Sequence, residues 1–384
     1  MTKKDSSRGA AAVVAGGAAE QRTREPRASG SRANATADYA ARFDPRYATD
    51  FYRPVFDGAL VSSIGIGTYL GECSEEDDAG YRDAVTHALG AGVNLVDTAI
   101  NYRCQRSELA VGAAVQRAIT AGATREAMII CTKGGYLPMS GRPPATREEY
   151  QAFLKNEFFD TGILTIDDLV GGGHSMAPSF LRYAMARSRK NLGLRTIDVY
   201  YLHNPEHQAA VVSPESFRER MRAAFMVLED AATRGEIGVY GVATWNGLRV
   251  PPKSKSHVSL GALVAIARDV AGEGHHFGAV QMPINLAMTE AVRLPTQPVG
   301  NNGALVPAVE AASALGLAVF ASAALMQAQL TKDLPESVRT LFPVQRTDAQ
   351  RALAFVRSVP GVTAALVGTK SIAHLEENLE SAKR

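Results

Sequence analysis

The stretch that decides the architecture begins Val93-Asn-Leu-Val-Asp-Thr-Ala99, continues through a helical pattern over residues 107–120, and returns to Met128-Ile-Ile-Cys-Thr-Lys133. Each short apolar run between turn signals reads as a strand buried on both faces. Ser107-Glu108 suits the first turn of the helix between them. Two such strands joined by a helix describe a parallel pair with a crossover, the unit of α/β sheets.

Working outward, the unit repeats. Upstream lie a strand and turn, Val61-Ser-Ser-Ile-Gly-Ile-Gly-Thr68, and a helix over 77–89 with Tyr81, Ala84, Val85, Ala88 and Leu89 at i, i+3, i+4 spacing. Downstream, strands at 196–203, 238–244, 278–284, 317–322 and 362–367 alternate with helices at 178–192, 213–234, 260–270, 305–315, 347–358 and 371–382. Eight strand–helix units predict an α/β fold, a closed (β/α)8 TIM barrel. An open doubly wound sheet is the runner-up. No Gly-x-Gly-x-x-Gly turn follows any strand, which argues against it.

Of the 384 residues, 46% are hydrophobic and 21% charged, an ordinary globular balance. A net charge of +2, with no basic run interleaved with aromatics, gives no footprint for nucleic acid. No apolar stretch approaches the roughly 20 residues that span a bilayer. The cysteines, Cys73, Cys104 and Cys131, are odd in number and unpaired in spacing, which favours a reducing compartment, the cytoplasm. The first 46 residues hold nine Lys/Arg against five Asp/Glu and almost no Leu, Ile or Phe. Such a composition predicts a disordered tail over residues 1–53, with a targeting sequence as the alternative, and a barrel domain over 54–384.

Reactive groups of such barrels sit at the C-terminal ends of strands. Here strand two ends in Asp97, strand three in Lys133 and strand four in His203, and Tyr102 lies five residues beyond Asp97. Each alone has an ordinary structural explanation. Packing does not require all of them on adjacent strand ends.

Asn94-Leu-Val-Asp-Thr-Ala-Ile-Asn-Tyr102 with Ser107-Glu108, Cys131-Thr-Lys133, Tyr201-Leu-His-Asn-Pro205 and the approach Ser188-Arg-Lys-Asn-Leu-Gly-Leu-Arg-Thr-Ile-Asp198 resemble the motifs of the aldo-keto reductases, in order, from about Val61 to Asn378. The resemblance implies Asp97, Tyr102, Lys133 and His203 as catalytic residues, NADP(H) as cofactor with NAD possible, no metal, and a small carbonyl or alcohol substrate. Carbonyl reduction leaves negative charge on oxygen, so a proton donor must stand there. Free tyrosine, with a pKa near 10, exchanges protons poorly at neutral pH, and an adjacent ammonium lowers that value. Lys133 would supply the ammonium, Asp97 would hold it charged, and neutral His203 would orient the carbonyl.

The same resemblance implies a cofactor site of Gly67, Thr68, Thr244, Gln281, Ser322, Leu325, Gly368, Lys370, Glu377 and Asn378. Gln281, in Val280-Gln-Met-Pro-Ile-Asn285, would grip the carboxamide. Gly368-Thr-Lys-Ser-Ile-Ala-His-Leu-Glu-Glu-Asn378 would clamp the adenosine half, with Lys370 on the 2′-phosphate. Three departures stand out. Ala243-Thr244 replaces Ser-Asn after strand five, Phe320-Ala-Ser-Ala-Ala-Leu325 places Ser322 where an aromatic is common, and Ser371 replaces an Arg.

The segment from Gly134 to Pro178 is far longer than a usual barrel loop. The sequence ends soon after its last helix, so this segment is expected to supply the pocket wall through Tyr150, Phe153, Phe158 and Phe159, with His174 reaching the mouth. The competing functions are a cofactor-binding regulatory subunit with little turnover and a barrel lyase or hydrolase, for which no metal-ligand spacing speaks. Oligomeric state is not legible.

Overall fold

Along every core strand the inward side chains recur at every second residue, and eight such strands close on themselves. The computed structural model describes residues 29–299 and 304–384. A hairpin of β1 (Tyr52–Val55) and β2 (Ala59–Ser62) precedes the barrel. Then come β3 (Ile64–Gly67), β4 (Leu95–Asp97), β5 (Ile129–Gly134), β6 (Ile197–His203), β7 (Ile237–Ala243) and β8 (Phe277–Pro283). An antiparallel pair, β9 (Pro295–Val299) and β10 (Ala304–Pro307), interrupts before β11 (Ala318–Ser322) and β12 (Ala364–Gly368). The barrel order is β11-β12-β3-β4-β5-β6-β7-β8, all parallel, which excludes the open doubly wound sheet. Among the described residues no helix is long and apolar enough to cross a membrane.

Leu95, Ile129, Cys131, Val199, Tyr201, Ala279, Phe320 and Leu366 fill the interior. Their strand neighbours Val96, Ile130, Tyr200, Leu202 and Val280 face outward against the helices. This period of two determines what comes next on the inner face. One step beyond Leu95 stands Asp97, beyond Cys131 stands Lys133, beyond Tyr201 stands His203, and beyond Ala279 stands Gln281. The apolar plug therefore ends in a polar top layer.

The expected disordered tail is corrected in part. Residues 1–28 lie outside the described residues, but residues 29–53 are folded. Ser29–Phe43 is a helix, and Phe43, Tyr47 and Phe51 are buried in the main core, with Tyr47 and Phe51 stacked at 3.9 Å. Tyr39, Tyr47 and Tyr52 donate their hydroxyls to the carbonyls of Leu89, Ala91 and Gly92 at 2.7, 2.6 and 2.7 Å, tying down the end of the helix Glu75–Ala91. Arg32 pairs with Asp198 at the start of β6, so the segment covers the N-terminal end of the barrel, away from the polar layer.

The segment after β5 is likewise not one open loop. It holds a helix, Arg147–Leu154, and a wide turn, Lys155–Phe159. Phe158 is fully buried against Phe180, with Phe153 and Phe159 packed beside it. These aromatics form a small core of their own.

Phe51→Ala should empty a fully buried aromatic site and cost about 3–5 kcal/mol of stability. Urea unfolding of the variant checks this, and a loss below about 1 kcal/mol would return the segment to the status of a loose tail.

Candidate active site

Lys133 is completely buried, and an ammonium there requires a counter-charge. Its Nζ donates to Asp97 Oδ2 at 2.7 Å and to the Thr98 carbonyl at 2.9 Å. Asp97 Oδ1 accepts from Gln281 Nε2 at 2.8 Å, so one carboxylate joins β4, β5 and β8. Burial alone would lower the Lys133 pKa. The Asp97 carboxylate and the Tyr102 phenol outweigh it, and the net shift is upward, so the ammonium is retained.

Lys133 Nζ stands 4.9 Å from the centre of the Tyr102 ring. Burial pushes the Tyr102 phenol up and Lys133 pulls it back, leaving it above its ordinary value. The His203 ring lies edge-on to Tyr102 at 5.9 Å between centres. Burial, then the positive Lys133, hold His203 well below the usual histidine range, so it is neutral. Its Nδ1 has no partner among the described residues. The four residues expected to act together are thus brought together.

They open into a cavity of about 680 Å³. Its lining includes Gly67, Thr68, Thr244, Gln281, Ser322, Leu325, Gly368, Glu377 and Asn378, along with Asp97, Tyr102 and His203. Ser107 donates to the Thr68 carbonyl at 2.7 Å and anchors that turn. Lys370 is the exception. It is turned to the buried Asp77 carboxylate, whose pKa it holds down. The amide nitrogen of Gln281 is likewise engaged, by Asp97.

The wall was misplaced in the sequence reading. Tyr69, Asn101, Tyr136, Asn204 and Trp245 line the cavity, whereas Tyr150, Phe153, Phe158 and Phe159 do not. Trp245 is 48% exposed and Tyr69 55%, each offering an aromatic face at the mouth. These five follow closely on strand ends or stand on the loop that carries Tyr102, a positional signal available in the sequence. His174 is buried behind the site and does not reach the mouth: its Nε2 donates to the His203 carbonyl at 2.7 Å, its Nδ1 accepts from Gln208 at 3.0 Å, and burial drops its pKa to about 4. Glu108, also buried, accepts from Thr132 at 2.7 Å and Asn191 at 2.8 Å, a brace between helix and strand.

A closed eight-stranded parallel barrel whose top layer carries Asp, Lys and His with a tyrosine in the adjoining loop defines a narrow class of barrel proteins. A model of the Aldo/keto reductase family matches residues 63–253, and the chain belongs to that family. It is similar to a D-threo-aldose 1-dehydrogenase from a Pseudomonas species, with 27% identity over 157 residues. That match spans only 41% of this chain and 41% of that protein. An aldo/keto reductase from Klebsiella pneumoniae, solved in complex with NADP and acetate, shares the fold at TM-score 0.58 and 18% identity, over 86% of this chain and 89% of that one. A Pseudomonas aeruginosa protein assigned to the aldo-keto reductases gives TM-score 0.51 and 21% identity, over 87% and 95%.

Asp97→Ala should leave a buried ammonium without its partner and cost about 3–5 kcal/mol. Denaturant unfolding at neutral pH reads this directly, and an unchanged midpoint would mean that Lys133 is neutral in the folded protein.

Proposed function

We propose that this chain transfers hydride between NADP(H) and the carbonyl of a small aldehyde, ketone or sugar, with Tyr102 as general acid. The observation that carries the reading is the buried Lys133–Asp97 pair set beneath Tyr102 and His203 at the floor of the large cavity. The likeness to an aldose dehydrogenase keeps sugars in the substrate class, and the NADP complex of the Klebsiella protein supports the cofactor.

The residues fit such a cofactor. Thr244 Oγ1 is buried at the cavity without a hydrogen-bond partner among the described residues, an orphan suited to a carboxamide. Ser322 and Leu325 line the same cavity, and Gly368, Glu377 and Asn378, which also line it, would take the adenosine half. When bound, the dihydronicotinamide supplies the hydride. Tyr102 then gives its proton to the developing alkoxide, and the phenolate left behind faces the Lys133 ammonium. Neutral His203 donates a hydrogen bond that orients and polarises the carbonyl.

The opposed pulls on Tyr102 fix the pH dependence. The phenol must be protonated to act as acid, and its pKa lies above the ordinary value. Reduction should hold steady through neutral pH and fall only in strongly alkaline solution, whereas alcohol oxidation, which needs the phenolate, should rise with pH. Tyr102→Phe keeps the ring and removes the donor, so kcat for reduction should drop by about 10²- to 10⁴-fold with NADPH affinity little changed. Single-turnover kinetics check this with chemistry isolated from cofactor release. Retention of most of the wild-type rate in a folded, saturated variant would reject the mechanism.

Lys370 is proposed to meet the 2′-phosphate by sharing its ammonium between Asp77 and the cofactor. Lys370→Ala should weaken NADPH roughly 10- to 100-fold and leave NADH nearly unaffected, the magnitude of a charge-assisted hydrogen bond. Fluorescence titration with both cofactors decides it, and equal losses would remove Lys370 from that role.

A further inference from the structure

Directly after Tyr102 the backbone does something costly. Arg103, Cys104 and Gln105 all adopt left-handed conformations, with φ of 48°, 53° and 72°. Three consecutive side-chain-bearing residues hold that region only when their surroundings over-determine it, and such strain gathers at functional sites. Here both ends are fastened. Arg103 donates to the carbonyls of Glu72 (2.7 Å) and Ser74 (3.2 Å) and to Asp78 Oδ1 (2.6 Å). Gln105 Nε2 donates to the carbonyls of Pro138 (3.0 Å) and Met139 (3.1 Å), and its Oε1 accepts from Arg187 (2.9 Å) and Asn191 (3.1 Å).

Between these fastenings, Cys104 forms part of the wall of a second cavity, of about 230 Å³. Leu137, Met139, Tyr150 and Gly173 complete it, and Asn101 and Tyr136 belong to its lining and to that of the large cavity. Those two residues therefore stand between the two cavities, close to Tyr102. The strained run is what sets Cys104 into one wall, and Gln105 holds the opposite wall by the carbonyls of Pro138 and Met139. The lining is apolar apart from Asn101 and Tyr136, because the Tyr150 hydroxyl is already given to the Gly172 carbonyl.

We propose that this second cavity is a side pocket for the substrate, taking an apolar arm on the carbonyl compound, an arylalkyl or short alkyl chain that passes between Asn101 and Tyr136 while the carbonyl stays at Tyr102. The proposal rests on the carbonyl-reducing function proposed above and narrows its substrate class. It assigns the strain after the tyrosine to keeping an apolar slot open, and it gives the long segment after β5 a direct part in substrate choice through Leu137, Met139, Tyr150 and Gly173.

The test compares kcat/KM for 3-phenylpropanal and for propanal, with NADPH, in the full chain and in two slot-filling variants. A Cβ on Gly173 would meet only the Tyr150 hydroxyl, at 3.5 Å, so Gly173→Leu has room to enter the slot. Met139→Trp fills it from the opposite wall at a half-buried position. In both variants the arylalkyl-to-propanal ratio should fall by at least about tenfold, the scale on which a closed apolar pocket discriminates. An unchanged ratio in two folded variants would overturn the side pocket while leaving the reductase reading intact. Should the wild-type protein reduce neither aldehyde, the reductase reading fails, and calorimetric binding of 3-phenylpropanoate decides the pocket alone. Affinity at least about tenfold weaker in Gly173→Leu supports it, and equal affinity rejects it.

Discussion

An ammonium at zero exposure can stay charged only beside a carboxylate, and the arrangement of the barrel mouth follows from that constraint. Asp97 meets Lys133 across the β4–β5 register and takes a second hydrogen bond from Gln281 on β8. The rim geometry is thereby fixed by three strands, with the Thr98 carbonyl just past β4 as a further acceptor for Lys133. The retained charge then acts in two directions. It pulls the Tyr102 phenol down against burial, and it pushes the His203 imidazole toward neutrality. Burial keeps the Tyr102 phenol protonated and the His203 imidazole neutral, and the buried cation tempers the first effect while reinforcing the second.

The rim supplies charge, but Tyr102 stands on a loop, and a loop side chain keeps a fixed place beside the rim only where the loop is held as firmly as the strands. Arg103 and Gln105 do this immediately beyond Tyr102, with every hydrogen bond quoted for them running to the β3 loop, the helix Glu75–Ala91, the β5 loop or the helix Pro178–Leu192. His174 performs a related service at β6, holding the His203 carbonyl from the far side of the cavity floor. Gly135 is needed for that approach, since a Cβ there would come within 2.7 Å of the same carbonyl.

Periodicity made the barrel legible. Strands buried on both faces read as unbroken apolar runs, and the polar residues ending three of them point to the rim. Composition was a poorer guide. Averaged over residues 1–46, the excess of Ala, Gly, Ser and Arg concealed Tyr39, Phe43, Tyr47 and Phe51, spaced four apart, which is the signature of a helical face and its continuation into the core. Aromatic content misled in the segment after β5 for the opposite reason. Phe153, Phe158 and Phe159 looked like a pocket wall, but a segment of that length needs a core of its own, and they supply it. The actual wall, Trp245 and Tyr69 among it, consists of residues one or two places past strand ends, a position that hydrophobic patterning does not weigh. The left-handed run at 103–105 had no sequence signal, since Arg, Cys and Gln are not residues that announce such a backbone.

The polar top layer is also where the fold gives up stability. Immediately below it, Leu95, Cys131 and Tyr201 show what the barrel uses where chemistry is not required. Replacing a buried ion pair by well-packed apolar residues of similar volume is commonly neutral or stabilising, by about 1–4 kcal/mol. Packing and stability therefore do not account for Lys133 and Asp97 standing one step above an apolar layer on the same strands. The same holds for Thr244, buried with its hydroxyl unpaired, and for Asn101 with its unpaired carbonyl oxygen. Each costs desolvation that the folded chain does not recover internally. A buried ion pair set directly above a mainly apolar interior, on the same strands, is the physical mark that separates this end of the barrel from its core.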